Sequence, residues 1–251
     1  MIWVIAGTAD ARELIGLLLR AGYPVTATTT TGYGRDLLGG HPDLTAIAGP
    51  MDRDAMEAFA AERGISVIAD ASHPYAAEAS RNAIAVAGRR AVPYIRLERP
   101  SAKYDGAVVV ASYEEAARRL GNASGNVMLT IGSKNLAPFT RIAGVTVYAR
   151  VLPTAESIDA CERHGFRPEQ IIAARFPFSK SFNAALFREL GIRHLVSKES
   201  GGPGGAPEKF AAAAELGIET ILIGRPQIDY PEVFFDSQSV VRRIGEIVNN
   251  P

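Results

Sequence analysis

The chain has 251 residues, of which 47% are hydrophobic and 22% are charged, and this composition predicts a folded globular protein with one large or two small domains. The 27 Lys and Arg residues balance 27 Asp and Glu residues, so the strongly basic field typical of nucleic-acid-binding proteins is absent. A single cysteine, Cys161, excludes an internal disulfide and a multi-cysteine zinc site.

The start of the chain does not have the pattern of an export signal. Asp10, Arg12 and Glu13 interrupt its apolar residues, and no basic leader precedes them. No later stretch reaches the roughly 18 apolar residues that a membrane span requires. We therefore expect a cytoplasmic protein with neither a membrane nor a nucleic acid as its partner.

Short apolar runs alternate with helical patterns from the first residues onward, which is typical of a parallel α/β architecture. In the first part of the chain the apolar runs predict strands at residues 2–6, 25–30, 44–48, 66–69 and 92–97. The helical patterns predict helices at residues 9–21, 51–63 and 76–87. Gly22 and Gly64 follow two of these helices and are expected to end them.

Residues 98–106 show little periodicity and are predicted to link two lobes. The alternation then restarts, with predicted strands at residues 108–111, 127–131, 145–149, 171–174, 194–197 and 220–223. Helices are predicted at residues 113–120, 155–165, 182–190, 208–216 and 237–248. We therefore predict two Rossmann-like α/β lobes with mainly parallel sheets and a cleft between them. Residues 1–99 would form the N-terminal nucleotide-binding lobe, and residues 100–251 the C-terminal lobe that completes the substrate cleft.

Glycines, hydroxyls and cations are concentrated just after the predicted strands. Open parallel sheets bind ligands at this edge, where backbone N–H groups and cations attract phosphates and carboxylates. The first turn, at residues 7–12, departs from the G-x-G-x-x-G fingerprint because Ala9 and Arg12 replace its later glycines. An ordinary tight turn and a phosphate loop fit this spacing equally well. Residues 28–35 lie where such a fold contacts the ribose, and Arg35 is either a ligand for a 2′-phosphate or a solvated side chain.

One histidine and two lysines are candidates for proton transfer and anion binding. His73 precedes a proline, so it is either a turn residue or a proton donor, and no metal site is expected around it because neighbouring ligands are missing. Lys198 and Lys209 bracket a segment with four glycines at residues 201–205. This combination favours a clamp for a carboxylate or phosphate over a loop that is merely flexible.

Several motifs, in order along nearly the whole chain, resemble the precorrin-6A reductase family, which includes cobalt-precorrin-6A reductases. They are GTADAR at 7–12, DASHPYA at 70–76, YIRLERP at 94–100, TIGSK at 130–134, RVLP at 150–153, PFS at 177–179, KESG at 198–201 and RP at 225–226. The resemblance implies an oxidoreductase of cobalamin biosynthesis. Its reaction would be hydride transfer from NADPH, or NADH, to the C18–C19 double bond of precorrin-6A or its cobalt complex. The partner would then be a small corrin precursor with several carboxylates, and the protein a monomer or small homo-oligomer.

Residues and resemblance together give the predicted site. The predicted catalytic residues are Lys198 and His73, with water as a further proton source. The predicted cofactor contacts are Gly7, Thr8, Thr28, Thr29, Thr30, Arg35, Ser72, Gly132, Ser133 and Lys134. The predicted substrate contacts are Arg12, Tyr75, Arg96, Arg175, Ser179, Lys198, Ser200 and Lys209. Two alternatives stay open at this point: a tetrapyrrole-pathway or nucleotide-dependent transferase of similar two-lobed fold, and a non-catalytic protein that binds an anionic ligand.

Overall fold

The computed structural model describes residues 1–100, 104, 106–175, 177–199 and 205–249. Its strands are β1 Ile2–Ile5, β2 Val25–Thr29, β3 Leu44–Ala48, β4 Val67–Asp70, β5 Tyr94–Leu97, β6 Val108–Val110, β7 Asn126–Thr130, β8 Val147–Val151, β9 Ile171–Ala173, β10 Ile192–Lys198, β11 Glu219–Ile223 and β12 Val233–Phe234. Its α-helices are α1 Ala9–Arg20, α2 Gly32–Asp36, α3 Arg53–Glu62, α4 Ala77–Arg90, α5 Tyr113–Arg119, α6 Ala155–Arg163, α7 Lys180–Glu189, α8 Ala206–Glu215 and α9 Ser237–Asn249.

The chain divides into two compact units. Unit 1 contains Met1–Pro100 and the C-terminal segment that begins at Pro226, and unit 2 contains the described residues between them. This differs from the predicted division, which placed all of residues 100–251 in the second lobe. The C-terminal segment belongs to unit 1 because β12 adds to its sheet beside β5 and the apolar face of α9 packs on α1.

Unit 1 has a sheet of six parallel strands in the order β12-β5-β4-β1-β2-β3. Read from the β3 edge, this is the 3-2-1-4-5-6 order of the dinucleotide-binding Rossmann fold, with β12 as the sixth strand. The order reverses between β1 and β4. The loops that follow these two strands therefore flank the crevice in which this type of sheet binds ligands.

Helices cover both faces of the sheet of unit 1, so its central strands are apolar on both sides. In β1, Ile2 and Val4 pack towards α1 and α9, whereas Trp3 and Ile5 pack towards α3 and α4. This arrangement explains why β1 shows an unbroken apolar run in the sequence rather than an alternating pattern.

Unit 2 has a second sheet of six parallel strands, in the order β6-β11-β10-β7-β8-β9. Its order reverses between β7 and β10. Helices α7 and α8 cover one face, where Phe187 and Phe210 pack with Met128 of β7 and Leu195 of β10. The fold class predicted from the sequence, α/β with two mainly parallel sheets, is confirmed.

Two short elements were not predicted. Helix α2 spans five residues and overlaps residues 28–35, for which ribose contacts but no helix were predicted, and β12 spans two residues. Neither is long enough to produce a periodic pattern. Within the described part of the chain, no helix is long and apolar enough to cross a membrane.

Candidate functional site

The loop after β1 lies at the point in unit 1 where the strand order reverses. Gly7 has a φ of 134°, a conformation that favours glycine, and a Cβ added there would meet nothing within 4 Å. Thr8 caps α1, since its Oγ1 accepts the N–H of Ala11 at 3.0 Å. The same hydroxyl donates to the carbonyl of Ala71 at 2.9 Å. Thr8 therefore ties the loop after β1 to the loop after β4.

A buried carboxylate fixes the loop after β4. Asp70 has no exposed surface and accepts a hydrogen bond from the Ser72 N–H at 2.9 Å. It also accepts from the hydroxyls of Ser80 and Tyr94, both at 2.6 Å, and from Arg96 at 3.0 Å. Burial, followed by the charge of Asp70, raises the pKa of Tyr94, which stays a neutral donor. The network therefore holds the start of this loop, at Ser72, at the edge of the sheet.

Arg96 does not have the position predicted for it. It was expected to contact substrate, but it is 0% exposed and its guanidinium donates to Asp70, to the Ser72 hydroxyl at 3.2 Å and to Glu98 at 3.0 Å. The ring of Tyr230 lies 5.2 Å from it. Burial alone would lower the pKa of Arg96, but Asp70 and Glu98 outweigh burial and raise it. Arg96 therefore supports the loop after β4 through its hydrogen bonds to Asp70 and Ser72.

Two of the threonines predicted to contact a cofactor are used inside unit 1. The Thr28 hydroxyl accepts from Trp3 Nε1 at 2.9 Å in the core, and the Thr29 hydroxyl donates to the carbonyl of Thr31 at 3.0 Å. Both side chains are buried, and both hydroxyls already have a partner inside unit 1. Thr30, by contrast, is exposed at the end of the strand.

Arg35 lies on α2 and is exposed. Its side chain is 48% accessible and pairs with the neighbouring Asp36 at 2.8 Å. An exposed ion pair of this kind contributes little to stability. The guanidinium can therefore exchange Asp36 for a phosphate without a large cost.

The predicted residues His73, Tyr75 and Arg12 lie at the same edge of unit 1. The Nδ1 of His73 accepts the Tyr75 N–H at 3.3 Å, and their rings are 5.7 Å apart. With Nδ1 accepting, a neutral His73 carries its proton on Nε2. Arg12 is exposed and donates to the Thr8 carbonyl at 3.4 Å.

These features of unit 1 fit the phosphates of a dinucleotide. The N-terminus of the 12-residue α1 brings unpaired N–H groups and a partial positive charge to the point where the strand order reverses. Gly7 leaves space there that a side chain would fill, and Arg35 adds a cation at the end of β2. Gly7, Thr8, Ser72 and Arg35 are the residues that would hold the group.

The corresponding position in unit 2 carries lysines. Lys198 ends β10 and is half-buried, with its Nζ 5.9 Å from the centre of the Tyr113 ring. Lys134 lies in the loop after β7 and is exposed. Burial, and then the charge of Lys134, lowers the pKa of Lys198 to about 8. Gly132 and Ser133, predicted to contact the cofactor, lie in this same loop of unit 2.

Lys209, which was also predicted to contact substrate, is likewise not a surface residue. It belongs to α8, is 6% exposed, and donates to the hydroxyls of Thr130 at 3.0 Å and Ser197 at 2.6 Å. Close by, Arg150 of β8 is 7% exposed and donates to Asn183 at 2.8 Å. The sequence analysis did not select Arg150 as a site residue. The signal that would have found it is a charged residue inside an otherwise apolar strand.

Of the other substrate contacts predicted in unit 2, two are exposed and one lies outside the described residues. Arg175 follows β9 and is exposed, and Ser179 is exposed and caps α7 by accepting the N–H of Phe182 at 3.2 Å. Ser200 lies outside the described residues, as do the glycines at 201, 202 and 204.

Comparison with known proteins gives the family. Residues 1–246 match the protein family described as "Precorrin-6x reductase CbiJ/CobK". The chain belongs to this family. As a precorrin-6x reductase it is an oxidoreductase, so the predicted family and enzyme class are confirmed.

Three individual relatives extend along almost the whole precorrin-6x reductase chain. The cobalt-precorrin-6A reductase of Priestia megaterium is 41% identical over 250 residues, covering 97% of this chain and 98% of its own. The cobalt-precorrin-6A reductase of Methanothermobacter thermautotrophicus is 36% identical, covering 98% and 82%. The solved structure of CobK precorrin-6A reductase is 26% identical, with a TM-score of 0.82 and coverage of 98% and 96%.

Proposed function

We propose that this precorrin-6x reductase reduces precorrin-6A, or its cobalt complex, to the corresponding 6B form in cobalamin biosynthesis. The observation that carries the proposal is the family match over residues 1–246, together with a dinucleotide-type strand order in unit 1. Both favour a reductase over the transferase and the binding-protein alternatives.

NADPH is the proposed reductant, and it would supply the hydride for the C18–C19 double bond. Unit 1 would hold its phosphates through the turn at Gly7 and Thr8 and through the N-terminus of α1. Exposed Arg35 supports NADPH over NADH, because a guanidinium binds a 2′-phosphate through paired hydrogen bonds. Ser72, which is held in position by Asp70 and Arg96, would be a further contact of the nucleotide in unit 1.

The cations of unit 2 would bind the corrin precursor, whose carboxylates need positive partners. Lys134 and Arg175 are exposed after β7 and β9, where they can reach a ligand at the edge of the sheet. In unit 1, exposed Arg12 could serve in the same way. Two of the three relatives named above carry the name cobalt-precorrin-6A reductase, which supports the cobalt-containing substrate.

Lys198 is the proposed proton donor. Reducing a carbon–carbon double bond requires a hydride on one carbon and a proton on its neighbour, and the nicotinamide ends oxidised. A lysine with its pKa lowered to about 8 is still largely protonated at neutral pH and gives up its proton more readily than an ordinary lysine. His73 is the second candidate, because its Nδ1 accepts from Tyr75 and a neutral ring then carries its proton on Nε2.

The decisive experiment is an anaerobic incubation of the protein with precorrin-6A or cobalt-precorrin-6A and with NADPH or NADH. We expect nucleotide oxidation coupled to loss of the substrate's visible spectrum, fastest with NADPH and the cobalt complex. Faster turnover with NADH would overturn the role of Arg35. Absence of turnover with either substrate and either nucleotide would overturn the proposed function.

We propose that the protein works in the cytoplasm as a monomer or small homo-oligomer, with the corrin precursor as its partner. The balance of 27 basic and 27 acidic residues supports the absence of a nucleic-acid partner. Size-exclusion chromatography with light scattering would measure the oligomeric state directly.

A further inference from the structure

Three polar residues form a row across the sheet of unit 2. Strand register pairs Ser197 of β10 with Thr130 of β7, and Arg150 of β8 follows directly after the paired residues Leu129 and Ala149. Paired residues of neighbouring strands point to the same face of a sheet. The row therefore lies on the face covered by α7 and α8, at the strand ends where the order reverses.

Two cations meet at this row: Arg150, which belongs to it, and Lys209, which reaches it from α8. Lys209 descends from α8 and uses two of its three N–H donors on the hydroxyls of Thr130 and Ser197. Arg150 uses one nitrogen on Asn183 of α7, and the ring of Phe178 lies 5.4 Å from its guanidinium. Its remaining N–H groups have no acceptor in the part of the chain that the structure describes.

The charges of these two residues are not balanced by protein carboxylates. Arg150 and Lys209 are 7% and 6% exposed, yet in the described ranges neither has a carboxylate within 4.0 Å. Arg96, the comparable buried arginine of unit 1, contacts both Asp70 and Glu98. Burying a charge without a partner is costly, so a site that retains two such cations must have another use for them.

We propose that Arg150 and Lys209 form a receptor for one carboxylate group of the ligand, with Thr130 and Ser197 supporting the lysine. The choice of a carboxylate rests on the proposed function, whose substrate is a polyacid. Such a group would accept from the unused N–H groups of the guanidinium and from the third N–H of the ammonium. This receptor lies deeper than the exposed cations Lys134 and Arg175.

The ionisation of Lys209 agrees with an anion as the missing partner. Burial, and then the charge of Arg150, lowers the pKa of Lys209 to about 7, and burial lowers that of Arg150 to about 10. Near neutral pH the empty receptor therefore relieves its charge by losing a proton from Lys209. An arriving carboxylate would hold that proton in place.

The test measures binding without nucleotide, so that it does not depend on hydride transfer. Precorrin-6A is titrated anaerobically into the full-length wild type and into Arg150→Met and Lys209→Met. Arg163→Met and Lys180→Met, which remove exposed charges from unit 2, are the matched controls. We expect each receptor variant to bind at least about tenfold more weakly, and the controls to bind as the wild type does. Wild-type affinity in both receptor variants would overturn the proposal.

Thermal unfolding of the ligand-free proteins separates a receptor from a structural role. Without the amine of Lys209, the Thr130 hydroxyl still donates to the Val196 carbonyl at 3.2 Å, and the Ser197 hydroxyl to the Lys198 carbonyl at 3.5 Å. Lys209→Met should therefore have an unchanged or higher Tm, because an unbalanced buried charge is removed. A Tm several degrees lower would instead make the amine a structural crosslink and overturn the receptor.

A third experiment measures the Tm in the presence of small anions at equal ionic strength. Acetate should raise the Tm of the wild type more than chloride does, and this difference should disappear in Arg150→Met and Lys209→Met. A larger effect of inorganic phosphate that is likewise lost in Arg150→Met and Lys209→Met would overturn the assignment to carboxylates, whereas a phosphate effect that both variants keep belongs to the phosphate site of unit 1. If neither precorrin-6A nor its cobalt complex binds to the wild type, the proposed function fails, and the acetate experiment alone then decides whether the receptor exists.

Discussion

Asp70 and Arg96 show what a buried ion pair does at the edge of a sheet. Arg96→Met would leave the fully buried Asp70 without its counter-charge, and removing one partner of such a pair costs about 3–5 kcal/mol. We expect a loss of this size in the free energy of unfolding, measured by urea denaturation with the fluorescence of Trp3, the single tryptophan of the chain. Arg89→Met is the control, since its pair with Glu57 is at the surface and should contribute less than about 1 kcal/mol. Equal losses in the two variants would contradict this assignment.

Lys198 and Lys134 give a prediction about pH. If Lys198 donates the proton, the single-turnover rate should fall as the pH rises through about 8, where the lysine loses its charge. Lys134→Met removes a like charge that lowers the pKa of Lys198, so the fall should move to higher pH. In Lys198→Met the fall should disappear together with most of the rate. A profile that is the same in wild type and Lys134→Met would argue against Lys198 as the donor.

The sequence predicts which chemical groups lie near the strand ends, but it does not predict whether their side chains are exposed or buried. Hydroxyls and cations at strand ends directed the prediction to the loops after β1, β4, β7 and β10, and these four strands are the ones that flank the reversals of strand order in the two sheets. Their orientation could not be predicted, because neighbouring positions of a strand point to opposite faces and either can be covered by a helix. Thr28 and Arg96 lie near the ends of β2 and β5 and are buried, and Lys209 is buried on α8. Charged residues within apolar runs, as at Arg96 and Arg150, are the pattern that marks such positions.

At the scale of elements, Thr8 both caps a helix and joins two loops. Thr8→Ala should cost about 1 kcal/mol of stability through the lost cap, and it should also weaken nucleotide binding because the Ala71 carbonyl loses its donor. Titration with NADPH and urea unfolding measure the two effects. Thr8→Ser, which keeps the hydroxyl, should restore both.

The control for Thr8 is another threonine cap in the same chain. Thr154 caps α6 and contacts Ser157 within its own first turn. Thr154→Ala should lose similar stability and leave NADPH affinity unchanged. If both alanine variants weaken nucleotide binding equally, the link from Thr8 to Ala71 has no special role.

Long elements were predictable because burial imposes a period on them. β1 and β7 are apolar runs, and α1 carries its buried apolar residues at helical spacing. The two-residue β12 has no period of its own and exists because the edge of β5 offers unpaired backbone groups: the Arg96 N–H donates to the Glu232 carbonyl at 2.8 Å. Such pairing depends on tertiary contacts that no local pattern records.

At the scale of the whole molecule, too, local sequence patterns do not show which parts of the chain pack together. The segment after Pro226 follows unit 2 directly in sequence but completes the sheet and the helical layer of unit 1. Amphipathicity predicted α9 but not which sheet its apolar face covers, because α/β sheets offer similar apolar surfaces to any such helix. Folding of unit 1 consequently requires residues that are separated by the whole of unit 2, and this adds loop-closure entropy to its formation.

Substitutions in α9 test this dependence. Ile244 is fully buried in the core that α9 shares with α1, so Ile244→Ala should destabilise unit 1 by about 2–5 kcal/mol. Trp3 lies in unit 1 and reports its unfolding by fluorescence, although α9 is more than 230 residues away in sequence. Val248→Ala, at a position of α9 that is 38% exposed, should change stability by no more than about 0.5 kcal/mol. If Ile244→Ala leaves the Trp3 transition unchanged, the C-terminal helix does not stabilise unit 1, and the division of the chain described above is wrong.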